Sequence, residues 1–116
     1  MIYINFNHKN VHWFLIVINK NSEEIVFYDT ERYTDLTLAK TACNNLVKFL
    51  FKKQGWKFNI NRDVQQPSPK HCGVYNMLFL QRSLCNESLY IPTTETEIVK
   101  VRYEIALKML EETFTL

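Results

Sequence analysis

Residues 11–18, Val-His-Trp-Phe-Leu-Ile-Val-Ile, interrupt a nearly continuous apolar run with a single histidine. The run is short and rich in β-branched and aromatic side chains, which marks a strand. It lacks the polar alternation of a half-exposed strand, so apolar side chains must leave it on both faces. Such a strand demands a sheet with packing material on each side. Two Trp, six Tyr and eight Phe in 116 residues supply bulk for one core and no more than one domain.

The flanking sequence provides the other elements. Ile2, Ile4 and Phe6 alternate as a short strand over residues 2–6. Asn19-Lys20-Asn21-Ser22 is a turn, and Glu24 to Asp29 is the returning strand. Ala39, Ala42, Cys43, Leu46, Val47 and Leu50 keep helical spacing within Leu36–Lys53, with Gly55 as the stop. Lys57 to Val64 alternates as a half-buried strand. Pro67-Ser68-Pro69 is a loop closed to helix. Residues 73–84 form an apolar helix with little polar face, expected to be central and buried. Thr94 and Glu97 fit a capping box opening a last helix, with Val99, Tyr103, Ala106, Leu110 and Phe114 as its buried stripe. Strands interleaved with helices predict an α+β fold.

Charge excludes some classes of function. Fourteen basic residues against twelve acidic ones give a net charge of +2. They are scattered, so no nucleic-acid footprint is expected. No apolar run is long enough to span a bilayer, so no membrane partner is expected either. Residues 1–5 lack a signal peptide's basic lead and cleavage site. The expectation is an intracellular protein of nucleus or cytoplasm, with Cys43, Cys72 and Cys85 reduced.

Four polar residues stand out against this framework. A hairpin centred near Lys20-Asn21 would pair residues whose numbers sum to about 41, setting His12 opposite Asp29 with Cβ atoms roughly 5 Å apart. A carboxylate there would fix the imidazole tautomer and stabilise its charged form. On these two residues alone, a buried structural pair, or two unrelated strand residues, is the favoured reading. Cys72 follows the Pro loop and opens the apolar helix, where the helix dipole and free N–H groups favour a thiolate. Gly73 leaves room for a substrate carbonyl to approach. Cys43 and Cys85 read as packing residues. Gln66, six residues before Cys72, carries a side-chain amide of the kind that stabilises an oxyanion together with a backbone N–H.

Together these residues resemble the ubiquitin-like-protein-specific proteases, the SUMO-deconjugating type of papain-like cysteine peptidase. That family shows a His-Trp at the end of a strand, an Asp seventeen residues on, and a Gln six residues before the Cys-Gly that opens the central helix. Here the matching residues are His12-Trp13, Asp29, Gln66 and Cys72-Gly73, and Gln65-Gln66-Pro67 resembles the family's Gln-Gln-Pro. The resemblance implies a papain-like fold, a mixed or antiparallel sheet packed by helices. It implies Cys72 as nucleophile, His12 as general base and acid, Asp29 as its orienter and Gln66 as oxyanion donor. Trp13 would form a wall of the tunnel that grips a substrate's di-glycine. The implied partner is a ubiquitin-like protein or its conjugates, with no cofactor or metal.

Two departures are visible. His71 stands where the family has Asp, which would add positive charge beside the nucleophile. The family's domain is also longer on the N-terminal side, so residues 1–116 resemble a single, partial catalytic domain truncated at its N-terminus. The rival reading is therefore an inactive remnant or a ubiquitin-like-protein-binding module. A metal site from His8, His12, His71, Cys72 and Cys85 has poor spacing: His71 and Cys72 are adjacent, and no Cys-x-x-Cys pair exists.

Overall fold

A computed structural model describes residues 1–9, 12–32, 34–53, 55–85 and 90–114, with only the backbone of 112–114. Val11 and the side chain of Phe114 therefore lie outside the described residues. Four strands, β1 (Ile2–His8), β2 (His12–Asn19), β3 (Glu24–Tyr28) and β4 (Lys57–Asn61), accompany three helices, α1 (Thr37–Phe51), α2 (Cys72–Cys85) and α3 (Glu95–Phe114). The sheet order is β1-β2-β3-β4. β1, β2 and β3 pair antiparallel, whereas β4 joins β3 in parallel. A parallel pair needs a long crossover, and α1 provides it. The result is the mixed-sheet α+β fold expected from sequence.

β2 behaves as its composition demands. Phe14 to Ile18 are all 5% exposed or less. Side chains alternate between faces, so Phe14, Ile16 and Ile18 join Ile25 and Phe27 against Ala39, Cys43 and Val47 of α1. Leu15 and Val17 point the other way, onto Tyr75 and Phe79 of α2 and Ile98 of α3. Each such side chain contributes about 1.5–3 kcal/mol on burial, an upper range because the unfolded chain is already partly compact.

The predicted hairpin register is two residues out. Leu15 pairs with Tyr28 and Asn19 with Glu24, so the centre lies between Asn21 and Ser22. The cause is the turn: Asn19 Oδ1 accepts the N–H groups of Asn21 and Ser22, and Glu23 takes a left-handed φ of 54°. A shift of two preserves which face every side chain uses; a shift of one would have reversed it.

Other boundaries also differ. α1 stops at a left-handed Lys52, whose N–H returns to the Lys48 carbonyl, rather than at Gly55. β4 ends at Asn61 because Asn61 Oδ1 captures the Asp63 N–H and turns the chain. Pro69 is not confined to a loop: it opens a 3-10 turn over Pro69–His71, since proline lacks only an N–H that a first turn leaves free anyway. α2 is covered on one face only, leaving Met77 and Leu84 more than half exposed. The capping-box pair meets at the start of α3, the Glu97 N–H donating to Thr94 Oγ1 at 3.2 Å. The stripe predicted for α3 is wrong. Val99, Tyr103 and Leu110 are exposed, and Ile98, with the half-buried Val101 and Ile105, faces inward. Two apolar stripes one residue apart compete on this helix, and the contacts at its start choose between them.

Candidate active site

The site forms at one end of the sheet. His12 opens β2 and Asp29 directly follows β3; both are buried, at 3% and 1% exposure. With the register two residues out, they meet diagonally rather than face to face, and His12 Nε2 still lies 2.7 Å from Asp29 Oδ1. The Glu31 N–H donates to the same oxygen at 3.0 Å. Arg62, from just beyond β4, donates to Asp29 Oδ2 through Nε and Nη2 at 3.3 and 3.2 Å. Burial by itself would raise the Asp29 pKa. The hydrogen bonds from His12 and the Glu31 N–H, with the His12 charge, outweigh it and hold the carboxyl below its ordinary 3.8. Asp29 is thus an anion that fixes the imidazole with its proton on Nε2. His12 Nδ1 is left buried without a hydrogen-bond partner.

Cys72 arrives from the opposite layer. It is the first residue of α2, although the helical path already begins one turn earlier at Pro69. Its Sγ accepts the N–H of Trp13 at 3.5 Å. That contact lays the sulfur against the strand backbone immediately next to His12. A Cβ added at Gly73 would meet nothing within 4 Å, so the chain beside the thiol is open. It opens onto a cavity of about 180 Å³ lined by Asn5, Trp13, Gly73, Asn76, Met77 and Leu80. Trp13 is 43% exposed on a strand otherwise buried; it is a cavity wall rather than a core side chain.

Gln66 reaches the same end of the sheet, its backbone N–H donating to the Thr30 carbonyl at 3.0 Å. Its side-chain Nε2 donates to Glu31 Oε1 at 2.9 Å, and its Oε1 is buried without a partner. Glu31, which sequence reasoning passed over, therefore touches the Gln66 amide and lies 3.7 Å from His12 Nδ1. Its position two after Asp29 was the available signal: on β3 extended, it is the residue that registers opposite His12.

Of the remaining cysteines, Cys43 is a packing residue, and burial pushes its thiol up to about 11. Cys85 is exposed, contrary to the packing role expected of it. Among the described residues, no group of three His, Cys, Asp or Glu side chains is placed to hold a metal ion. Among them, too, no helix is long and apolar enough to cross a membrane.

The sequence model of the Ulp1 protease family, C-terminal catalytic domain, matches residues 1–115. The chain belongs to the Ulp1 protease family. A solved structure described as the SUMO protease Ulp1 with its catalytic cysteine oxidized to a sulfonic acid is similar, with a TM-score of 0.75 and 17% identity. The alignment covers 96% of this chain and 53% of that one, so the chain spans about half of the solved structure's length. Among curated proteins, none matches the sequence significantly. The shared fold is the papain-like one expected from the sequence resemblance.

This Ulp1-family chain handles His71 in an unexpected way. His71 is 1% exposed. Its Nδ1 faces Arg102 Nη1 at 3.1 Å and its Nε2 faces Glu95 Oε1 at 2.9 Å. The imidazole is thus held between a guanidinium on one nitrogen and a carboxylate on the other. Arg102 also donates to the Lys70 carbonyl at 2.9 Å, and Ser68 Oγ donates to Glu95 Oε2 at 3.1 Å. The start of α3 thereby grips the whole turn that presents Cys72.

Proposed function

We propose that residues 1–116 form a single, partial catalytic domain of a cysteine peptidase or isopeptidase, acting after the C-terminal glycine of a ubiquitin-like protein. One observation carries the reading. Cys72 Sγ rests on the Trp13 N–H, next to a histidine with one nitrogen engaged by a buried carboxylate and the other without a partner. This is the arrangement a thiol needs to pass its proton to an imidazole. The solved relative is a SUMO protease, which supports a SUMO-type protein or its conjugate as substrate.

In this reading Cys72 is the nucleophile. Its sulfur bonds to the carbonyl carbon of the substrate's terminal glycine, and the proton it gave up resides on His12 Nδ1. The Gln66 amide and a backbone N–H near Cys72 hold the oxyanion. Collapse of the tetrahedral species breaks the C–N bond, and His12 returns its proton to the leaving amine. Water, deprotonated by His12, then attacks the thioester and frees the glycine carboxylate and the thiol. Asp29 keeps the imidazole oriented throughout. Trp13, standing out from β2 beside Gly73, admits glycine and excludes bulkier residues from the approach to Cys72.

A ubiquitin-like protein ending in an electrophilic propargyl amide tests the assignment. The wild-type chain should form one adduct at Cys72, and Cys72→Ala should form none. Labelling that survives in Cys72→Ala refutes the nucleophile. A second reading, a ubiquitin-like-protein-binding module without turnover, is favoured by one observation: the Gln66 amide already donates to Glu31. It predicts binding of the same protein with no adduct.

A further inference from the structure

Glu31 is anchored at its backbone and reaches into the site with its carboxylate. Its N–H is held by Asp29 Oδ1 at 3.0 Å, and the neighbouring Thr30 carbonyl is tied to the Gln66 N–H. The carboxylate reaches back across the site, with Oε1 2.9 Å from Gln66 Nε2 and 3.7 Å from His12 Nδ1. The side chain is 36% exposed, so solvent is open to it if it turns away.

The chemistry of that position is specific. A side-chain amide donor beside the imidazole is what an acyl-transfer site offers its oxyanion, and here the Glu31 carboxylate accepts from that donor. The same donor is what the product's terminal glycine carboxylate would meet after hydrolysis. A glutamate carboxylate has the same two oxygens and the same charge as that product.

We propose that Glu31 is an internal competitor for the oxyanion site: its carboxylate holds the place of the substrate's carbonyl oxygen and must swing out before acylation. The proposal rests on the peptidase reading above. It makes Glu31 a residue that sets rate and product affinity in this chain, through the same Gln66 amide that serves the reaction. One charge-assisted hydrogen bond is the contact to be broken, and its loss corresponds to about tenfold or more in a rate or binding constant.

The test uses Glu31→Ala and Glu31→Gln in a Cys85→Ser background, since Cys85 is exposed. Three quantities are measured: hydrolysis of a ubiquitin-like protein carrying a C-terminal aminocoumarin amide, inhibition by a peptide ending in a free Gly-Gly carboxylate, and iodoacetamide alkylation of Cys72. Glu31→Ala should raise kcat/KM about tenfold and tighten product inhibition by a similar factor, while alkylation, which uses no oxyanion site, changes by less than about threefold. Glu31→Gln, neutral but still able to accept from Gln66, should fall between, and it decides the matter if the alanine variant does not fold. Equal or slower hydrolysis in the folded variants overturns the competitor role and makes Glu31 a support for Gln66, while leaving the peptidase reading intact. Absence of hydrolysis in every variant, with Cys72 still alkylated, overturns the peptidase reading and the competitor role with it.

Discussion

Asp29→Asn probes the support of the site, because it removes charge while keeping shape. Two donors converge on Asp29 Oδ1, from His12 and the Glu31 backbone, and Arg62 sends two more to Oδ2. An amide has one acceptor oxygen, so its NH₂ must face one of these donor pairs. Facing Arg62 is the cheaper choice: that side chain is 28% exposed and can turn to water. Breaking a buried ion pair by removing one partner costs roughly 3–5 kcal/mol, and the escape open to Arg62 puts this case near about 3 kcal/mol. At roughly 1.5 kcal/mol per molar urea, the unfolding midpoint should fall by about 2 M. The pH dependence has a definite sign. Asp29 titrates below its ordinary value in the folded chain, so its contribution is complete above about pH 4 and is lost as pH falls through the folded value. Urea titrations of both proteins at pH 7 and in acid should therefore show a gap that is full at neutrality and narrows below about pH 4. A gap under about 1 kcal/mol at pH 7, or one that widens on acidification, refutes the reasoning.

Further outcomes follow from neighbouring contacts. In the same Asp29→Asn protein, turnover of the aminocoumarin substrate should drop by about 10²-fold or more, because the imidazole loses the anion that orients it. Arg102→Met strips the donor from buried His71 Nδ1 and from the Lys70 carbonyl. It should cost about 1–3 kcal/mol in a melting or urea experiment and slow Cys72 labelling by the propargyl probe; unchanged stability and labelling would show that α3 does not hold the Cys72 turn. Cys43, with its thiol at about 11 and 3% exposure, should stay unmodified by iodoacetamide at pH 8 in the native chain, while Cys85 reacts; mass spectrometry of the peptides reports both.

Much of the site was legible because its residues sit where local patterns are strong. β2 announces itself by composition, and Cys72 by its place between a proline turn and an apolar helix. The His12–Asp29 contact was foreseen through a register that proved two residues out. It survived because side-chain direction repeats every two residues, so an even error keeps the face and a diagonal neighbour is still within reach. The α3 stripe had no such protection: Ile98 and Val99 are equally apolar, and helix rotation is set by contacts with His71 and Lys70 that lie far away in sequence.

The sequence by itself determined a sheet covered on both faces and the family, because these depend on residue type and spacing along the chain. Only the tertiary structure decided the burial and partners of His71, the face of α3, the exposure of Trp13 and Cys85, and the presence of Glu31 between His12 and Gln66. Those properties depend on which partner arrives from another element and at what distance. A buried histidine's partners follow the side chains another element places against it, and a glutamate's role follows the groups its carboxylate can reach. Neither is written in the residues that neighbour it in the chain.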